Sequence, residues 1–138
     1  MENVEILDIS GDLGINVLGQ TLEDIFINAA IGFYSLTTSI ETVNAITTIQ
    51  VKVMEDTTER LLVAWLNELI YIFDTDGFIG KKVTIESLDG RHILATLNGE
   101  YFNPEKHECG LLIKAATYHK LQLEKGAAGW SAVIIFDI

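Results

Sequence analysis

The groups able to do chemistry in this chain are mostly oxygens. Asp12 sits in Ile9-Ser10-Gly11-Asp12-Leu13-Gly14, a turn whose two glycines leave the backbone free to bend toward a ligand. At the other end, Asp137 is followed only by Ile138, so a side-chain carboxylate and a carboxyl group stand side by side. They close an alternating run in which Trp130, Ala132, Ile134, Phe136 and Ile138 interleave with Ser131, Val133, Ile135 and Asp137. That period of two belongs to a pleated strand. Two anions at the end of an apolar strand repel each other and lose hydration, which calls for water, a basic side chain or a metal ion beside them. If Asp12, Asp137 and Ile138 meet, their oxygens suit a hard divalent cation such as Ca²⁺, Mg²⁺ or Mn²⁺, with waters completing the shell. The plainer alternative is that the strand ends at the surface and both anions are hydrated.

Other chemistries find less support. Cys109 is the single cysteine, and His92, His107 and His119 are the three histidines. Cys109 with His107 or His119 as base is the one nucleophilic pairing available. No Gly-x-Ser-x-Gly elbow or phosphate loop is present. No Cys-x-x-Cys or His-Glu-x-x-His spacing suits zinc. Asp74-Thr75-Asp76-Gly77 puts its glycine too early for a calcium loop and reads as a helix stop.

Elements must position these residues. Short strands are expected over Val4–Asp8 and Leu13–Leu18. Thr21-Leu22-Glu23-Asp24 has a capping-box pattern and opens an amphipathic helix with Leu22, Ile25, Phe26, Ala29, Ala30, Phe33 and Leu36 on one face, ending near Thr37–Ser39. Ala45–Val53 alternates as a half-buried strand. A second helix starts within Asp56–Glu59, buries Leu61, Leu62, Trp65, Leu66, Leu69, Ile70 and Phe73, and stops at Gly77. Lys82–Leu88 and Ile93–Tyr101 form a hairpin over Asp89-Gly90, and Ile113–Glu124 pairs with Trp130–Ile138. The expected fold is α+β, one domain over residues 1–138, with two helices covering a mostly antiparallel sheet.

The chain has 138 residues and is 49% hydrophobic, enough for one real core. No apolar run reaches membrane-span length, and the acidic start Met1-Glu2-Asn3-Val4-Glu5 is not a signal peptide. With one cysteine no internal disulfide forms, which fits a reducing, cytoplasmic setting. Twenty acidic against nine basic residues give a net charge of -11. That field repels nucleic acid, and Lys114, Lys120 and Lys125 make only a weak basic patch. A basic protein partner or a bound cation suits the charge better.

Four stretches are similar to the archease family. They are Gly11-Asp12-Leu13-Gly14-Ile15; Thr21-Leu22-Glu23 with Asn28-Ala29-Ala30; Trp65-Leu66-Asn67-Glu68-Leu69 with Phe73-Asp74; and Glu108 with Lys114-Ala115-Ala116-Thr117-Tyr118-His119 and the ending Val133-Ile134-Ile135-Phe136-Asp137-Ile138. The resemblance implies a protein cofactor, not an enzyme, that activates the RtcB-type RNA-splicing ligase by helping its histidine accept guanylate from GTP. It implies a divalent ion, Ca²⁺ first with Mg²⁺ or Mn²⁺ as alternatives, on Asp12, Asp137 and Ile138. Glu100, His107, Lys114 and His119 are expected as surface contacts for the partner. Many family members have His-Thr-Ala-Asp where this chain has Ile9-Ser10-Gly11-Asp12, so no imidazole is expected at that turn. The competing expectations are a stand-alone metal-dependent hydrolase using Asp12 and Asp137, and a general chaperone-like module.

Overall fold

The computed structural model describes residues 3–138. Met1 and Glu2, the first residues of the acidic N-terminal stretch, lie outside the described residues. Eight strands and two α-helices follow the order β1 (Val4–Ile9), β2 (Asp12–Gly19), α1 (Leu22–Thr37), β3 (Thr47–Met54), α2 (Thr58–Asp76), β4 (Phe78–Leu88), β5 (His92–Tyr101), β6 (Ala115–Ala116), β7 (Gln122–Gly126) and β8 (Gly129–Asp137). A 3₁₀ turn at Ile40–Thr42 lies between α1 and β3. The α+β class stands.

The strands form two sheets rather than the single expected one. β1, β2, β8 and β6 pair in that order, with β7 also on β8, and β3-β5-β4 is a separate three-stranded sheet. Every pairing is antiparallel. Helix α1 packs on β1, β2 and β8 of the first sheet and on β4 of the second, while α2 packs on β3, β4, β5 and β6. The core lies between them. Ile15, Phe26, Phe33, Trp65, Leu66, Phe78 and Ile134 are completely buried there. The Trp65 indole N–H donates to the Phe26 carbonyl at 3.0 Å, which ties α2 to α1 and satisfies the buried polar atom.

Helix boundaries follow local chemistry. The Asp24 N–H donates to Thr21 Oγ1 at 3.2 Å and the Thr21 N–H to Asp24 Oδ2 at 3.3 Å, the reciprocal capping box expected of that tetrapeptide. At the end of α2, Gly77 adopts φ 75 and its N–H returns to the Phe73 carbonyl. Only a residue without a Cβ takes that conformation cheaply, so Asp74–Gly77 is a helix stop and not a cation loop. Among the described residues, no helix is long and apolar enough to cross a membrane.

One expected strand breaks. In place of a continuous Ile113–Glu124 strand, only Ala115–Ala116 and Gln122–Gly126 pair with β8. Between them the chain turns at Tyr118–Leu121, where the Leu121 N–H donates to the Tyr118 carbonyl at 3.2 Å and Lys120 takes φ 53. A left-handed residue cannot continue a pleat, so the strand ends before it.

Candidate functional site

Asp12 enters β2 directly from a two-residue hairpin turn. Ile9 pairs with Asp12, and Ser10 (φ 53) and Gly11 (φ 85) are both left-handed. Two successive positive φ values match the right-handed twist of the flanking strands, which makes the turn tight. The next strand pair sets the partner. β2 and β8 pair with Leu13 opposite Phe136, Gly14 opposite Ile135 and Ile15 opposite Ile134. Carried one step further, that register places Asp12 opposite Asp137. Residues directly opposite share a face. Leu13 and Phe136 are buried toward the helices, so the two aspartates belong to the face away from them. A Cβ built on Gly14 would lie 2.5 Å from the Ile134 carbonyl oxygen, so only glycine lets β2 approach β8 this closely beside the aspartates.

The strand end reaches the surface. Asp137 is exposed and Ile138 is 56% exposed, so Phe136 is the last buried residue of β8. Burial therefore does not tax the anions, and repulsion between them is what needs an answer. Basic side chains supply part of it. Lys120 Nζ lies 3.3 Å and His119 Nε2 3.5 Å from the same Asp12 oxygen, Oδ2. The Asp137 carbonyl accepts the Lys114 N–H at 2.8 Å, which fixes the segment carrying both side chains against the end of β8.

A clamp that sequence reasoning does not single out holds the same segment. Asn67 on α2 donates its amide to the Ala116 carbonyl at 3.2 Å and accepts the Ala116 N–H at 2.8 Å. Its carboxamide thus acts as one more strand partner for β6. In the sequence Asn67 stands within one of the family-like stretches, but nothing there marks it as a partner for a strand. Lys120 stands in the sequence only as part of a weak basic patch. Its pairing with Asp12 spans 108 residues and depends on a turn that the β-rich pattern conceals.

Asp12 and Asp137 are oxygen donors of the kind a hard cation takes, and Asp137 and Ile138 are open to water. Among the described residues, no group of three or more His, Cys, Asp or Glu side chains is placed to hold a metal, so a cation on the two aspartates would need further oxygens, water among them, to complete its shell. Behind Asp12 and Lys120, an apolar cleft of about 350 Å³ runs along Leu7, Leu121, Val133 and Ile135.

The expected surface contacts divide. Lys114 and His119 are exposed. Glu100 and His107 are not: they are 8% and 3% exposed, a correction to the expectation. The end of β5 turns Glu100 inward, where its carboxylate accepts the Asn44 N–H and two bonds from Lys106 Nζ, at 2.8 and 3.0 Å. His107 Nδ1 accepts the Asn103 N–H at 2.9 Å, so Nε2 carries the proton and donates to Glu100 at 3.2 Å. The Lys106 hydrogen bond first, then the Asn44 amide and His107, hold the Glu100 carboxyl down to about 2. Both nitrogens of His107 are engaged and His119 turns to Asp12, so among the described residues the pairing of the exposed Cys109 with either histidine has no support.

Comparison with known proteins agrees with the expected resemblance. The model of the archease protein family matches residues 5–138. The archease of Methanosarcina mazei is 36% identical over 97% of this chain and 94% of its own. That of Pyrococcus furiosus is 34% identical over the full length of both. The solution structure of protein 1598 of Methanobacterium thermoautotrophicum superposes with a TM-score of 0.83, at 33% identity, over all of both chains. A crystal structure from Thermotoga maritima, described as an archease and possible chaperone, superposes at 0.67 over 97% of this chain and 96% of its own; at 18% identity it shares the fold.

Proposed function

This chain belongs to the archease family, and from that premise we propose that it is a protein cofactor of an RtcB-type RNA ligase. In this reading it promotes guanylylation and repeated turnover of the ligase in tRNA splicing, and performs no chemistry itself. A divalent ion, Ca²⁺ first and otherwise Mg²⁺ or Mn²⁺, is held by Asp12, Asp137 and Ile138. The observation that carries the reading is the β2–β8 register, which runs from Leu13 and Phe136 toward Asp12 and Asp137.

Guanylylation brings several phosphate charges and divalent ions into line beside a histidine. A partner bearing carboxylates at an exposed strand end can hold a cation during that step, or favour one of two states of the ligase. The charge of -11 favours encounter with a basic, RNA-binding enzyme and disfavours RNA binding by this chain. The reading also places the protein in the cytoplasm with the ligase.

The test is GTP-dependent guanylylation of the host's ligase under multiple turnover, with wild type and with Asp137→Ala, after both are shown to fold. Stimulation by wild type alone supports the cofactor role and the carboxylate site. Stimulation by both keeps the role and removes the site from it. Stimulation by neither rejects the role. The hydrolase alternative is then examined with phosphoester substrates and the protein alone.

A further inference from the structure

Segment 114–121 is fastened along its first half. The Lys114 N–H is held by the Asp137 carbonyl, Ala116 by Asn67, and Thr117 by the Ile135 carbonyl, which accepts both its N–H at 3.0 Å and its hydroxyl at 2.8 Å. The Tyr118–Leu121 turn follows, and Lys120 occupies its third position with φ 53. A turn with positive φ there favours glycine or asparagine, because a Cβ crowds the neighbouring carbonyl oxygen and asparagine offsets this with local hydrogen bonds. Lysine is an uncommon choice there, and it is held by the contacts that fasten the segment on either side.

The ammonium group makes one contact among the described residues, to Asp12 Oδ2 at 3.3 Å. Lys120 is 60% exposed, and an ion pair that open contributes little to stability. What the position does accomplish is delivery of a positive charge to an aspartate whose cross-strand neighbour is another aspartate.

We infer that Lys120 is a built-in counter-ion for the Asp12–Asp137 pair, so that a divalent ion binds there in competition with the Lys120 ammonium. The inference rests on the reading above that this pair takes a divalent ion. An arriving ion needs the same Asp12 oxygen and meets the repulsion of the charge already there. Lys120 thereby offsets one of the pair's two negative charges without metal and lowers the affinity for it, leaving an exchangeable site.

The test is calorimetric titration of the intact protein with MnCl₂ and, separately, CaCl₂. Wild type is compared with Lys120→Gln, Lys120→Gly, Lys120→Arg and Asp12→Asn, and the melting temperature of each is taken in chelator to establish folding. Lys120→Gly also relieves the turn, so it keeps the test usable if Lys120→Gln folds poorly. The expected result is a Kd lowered about three- to tenfold by Gln and Gly, the size of one unit charge a few ångströms from a divalent ion in water and salt. Arg stays near wild type and Asn loses binding. If wild type binds through Asp12 but Gln and Gly bind no tighter, the counter-ion role is overturned and the metal reading stands. If no protein binds either ion, or Asp12→Asn binds as wild type does, the metal reading falls and the inference falls with it.

Discussion

Two clusters in this fold combine a carboxylate, a lysine and a histidine and differ in what surrounds them. At the end of β5, Glu100 meets Lys106 and His107; at the start of β2, Asp12 meets Lys120 and His119. The Glu100 side chain is 10% exposed, with partners at 2.8–3.2 Å and a backbone N–H from Asn44 besides. The Asp12 side chain is 33% exposed, with partners at 3.3 and 3.5 Å and no backbone donor among the described residues. The first carboxylate is over-determined and serves the fold, because a buried charge must have its partners. The second is held loosely enough to exchange them. An acid, a lysine and a histidine thus do not define a site by themselves; exposure and spare coordination do.

The largest effect on stability is expected from the buried cluster. Glu100→Ala leaves the Lys106 ammonium, the His107 N–H and the Asn44 N–H without an acceptor. It should lower the melting temperature by on the order of 5 °C or more. A scan showing Glu100→Ala no worse than Asp12→Ala would erase the contrast drawn above. Acid should act on the same cluster. The Glu100 carboxyl lies near 2 in the folded protein, below the ordinary 4.5. Its contribution is therefore complete above about 4.5 and is lost as pH falls from there toward 2. The melting temperature of wild type should drop over that window more steeply than that of Glu100→Gln; parallel curves would remove Glu100 from the acid response.

Next in size is the clamp. Asn67→Leu removes the partner of both backbone groups of Ala116, which is 5% exposed, and should cost about 1–3 kcal/mol by denaturant unfolding. It also loosens the segment that brings Lys120 and His119 to Asp12. An Asn67→Leu variant as stable as wild type would mean that β6 is held by β8 alone.

The sequence discloses what is local and conceals what is convergent. Thr21 and Asp24 are three residues apart and satisfy each other, so the start of α1 is legible. Gly77 is legible for the same reason, since a left-handed cap follows directly on the helix it ends. Asp12 and Asp137 are legible as oxygen donors at two chain ends, but their opposition comes from a register that glycine at position 14 permits. Glu100 passes for a surface contact because its burial needs Asn44 from the segment before β3 and Lys106 and His107 from the loop after β5. Lys120 escapes notice because alternation across 113–124 reads as one strand, and no residue type there announces a left-handed turn.

Asp12→Asn should barely move stability, by about 0.5 kcal/mol or less, since an exposed pair contributes little. In the proposed role, the same variant abolishes stimulation of the ligase. Large loss of function with small loss of stability is the inverse of the Glu100 result. Guanylylation and chemical unfolding measured on one preparation of each variant decide it. Equal losses of both in Asp12→Asn would make the exposed cluster structural too.

Salt should separate the clusters by the smallest margin. Bonds of 2.8–3.2 Å around a buried carboxylate exclude ions, whereas Lys120 and His119 are 60% and 58% exposed and share their solvent with the electrolyte. Screening over about 8–10 Å at physiological ionic strength reaches the second cluster and hardly the first. The melting-temperature difference between wild type and Glu100→Gln should therefore hold steady from low to high salt. The metal-affinity difference between wild type and Lys120→Gln should shrink over the same range. In the proposed role, ligase stimulation should weaken as well, after correction for the ligase's own response, because attraction between a chain of charge -11 and a basic partner would act at longer range than any contact. Stimulation that is flat in salt while the Lys120 difference shrinks would confine electrostatics to the site and remove it from docking.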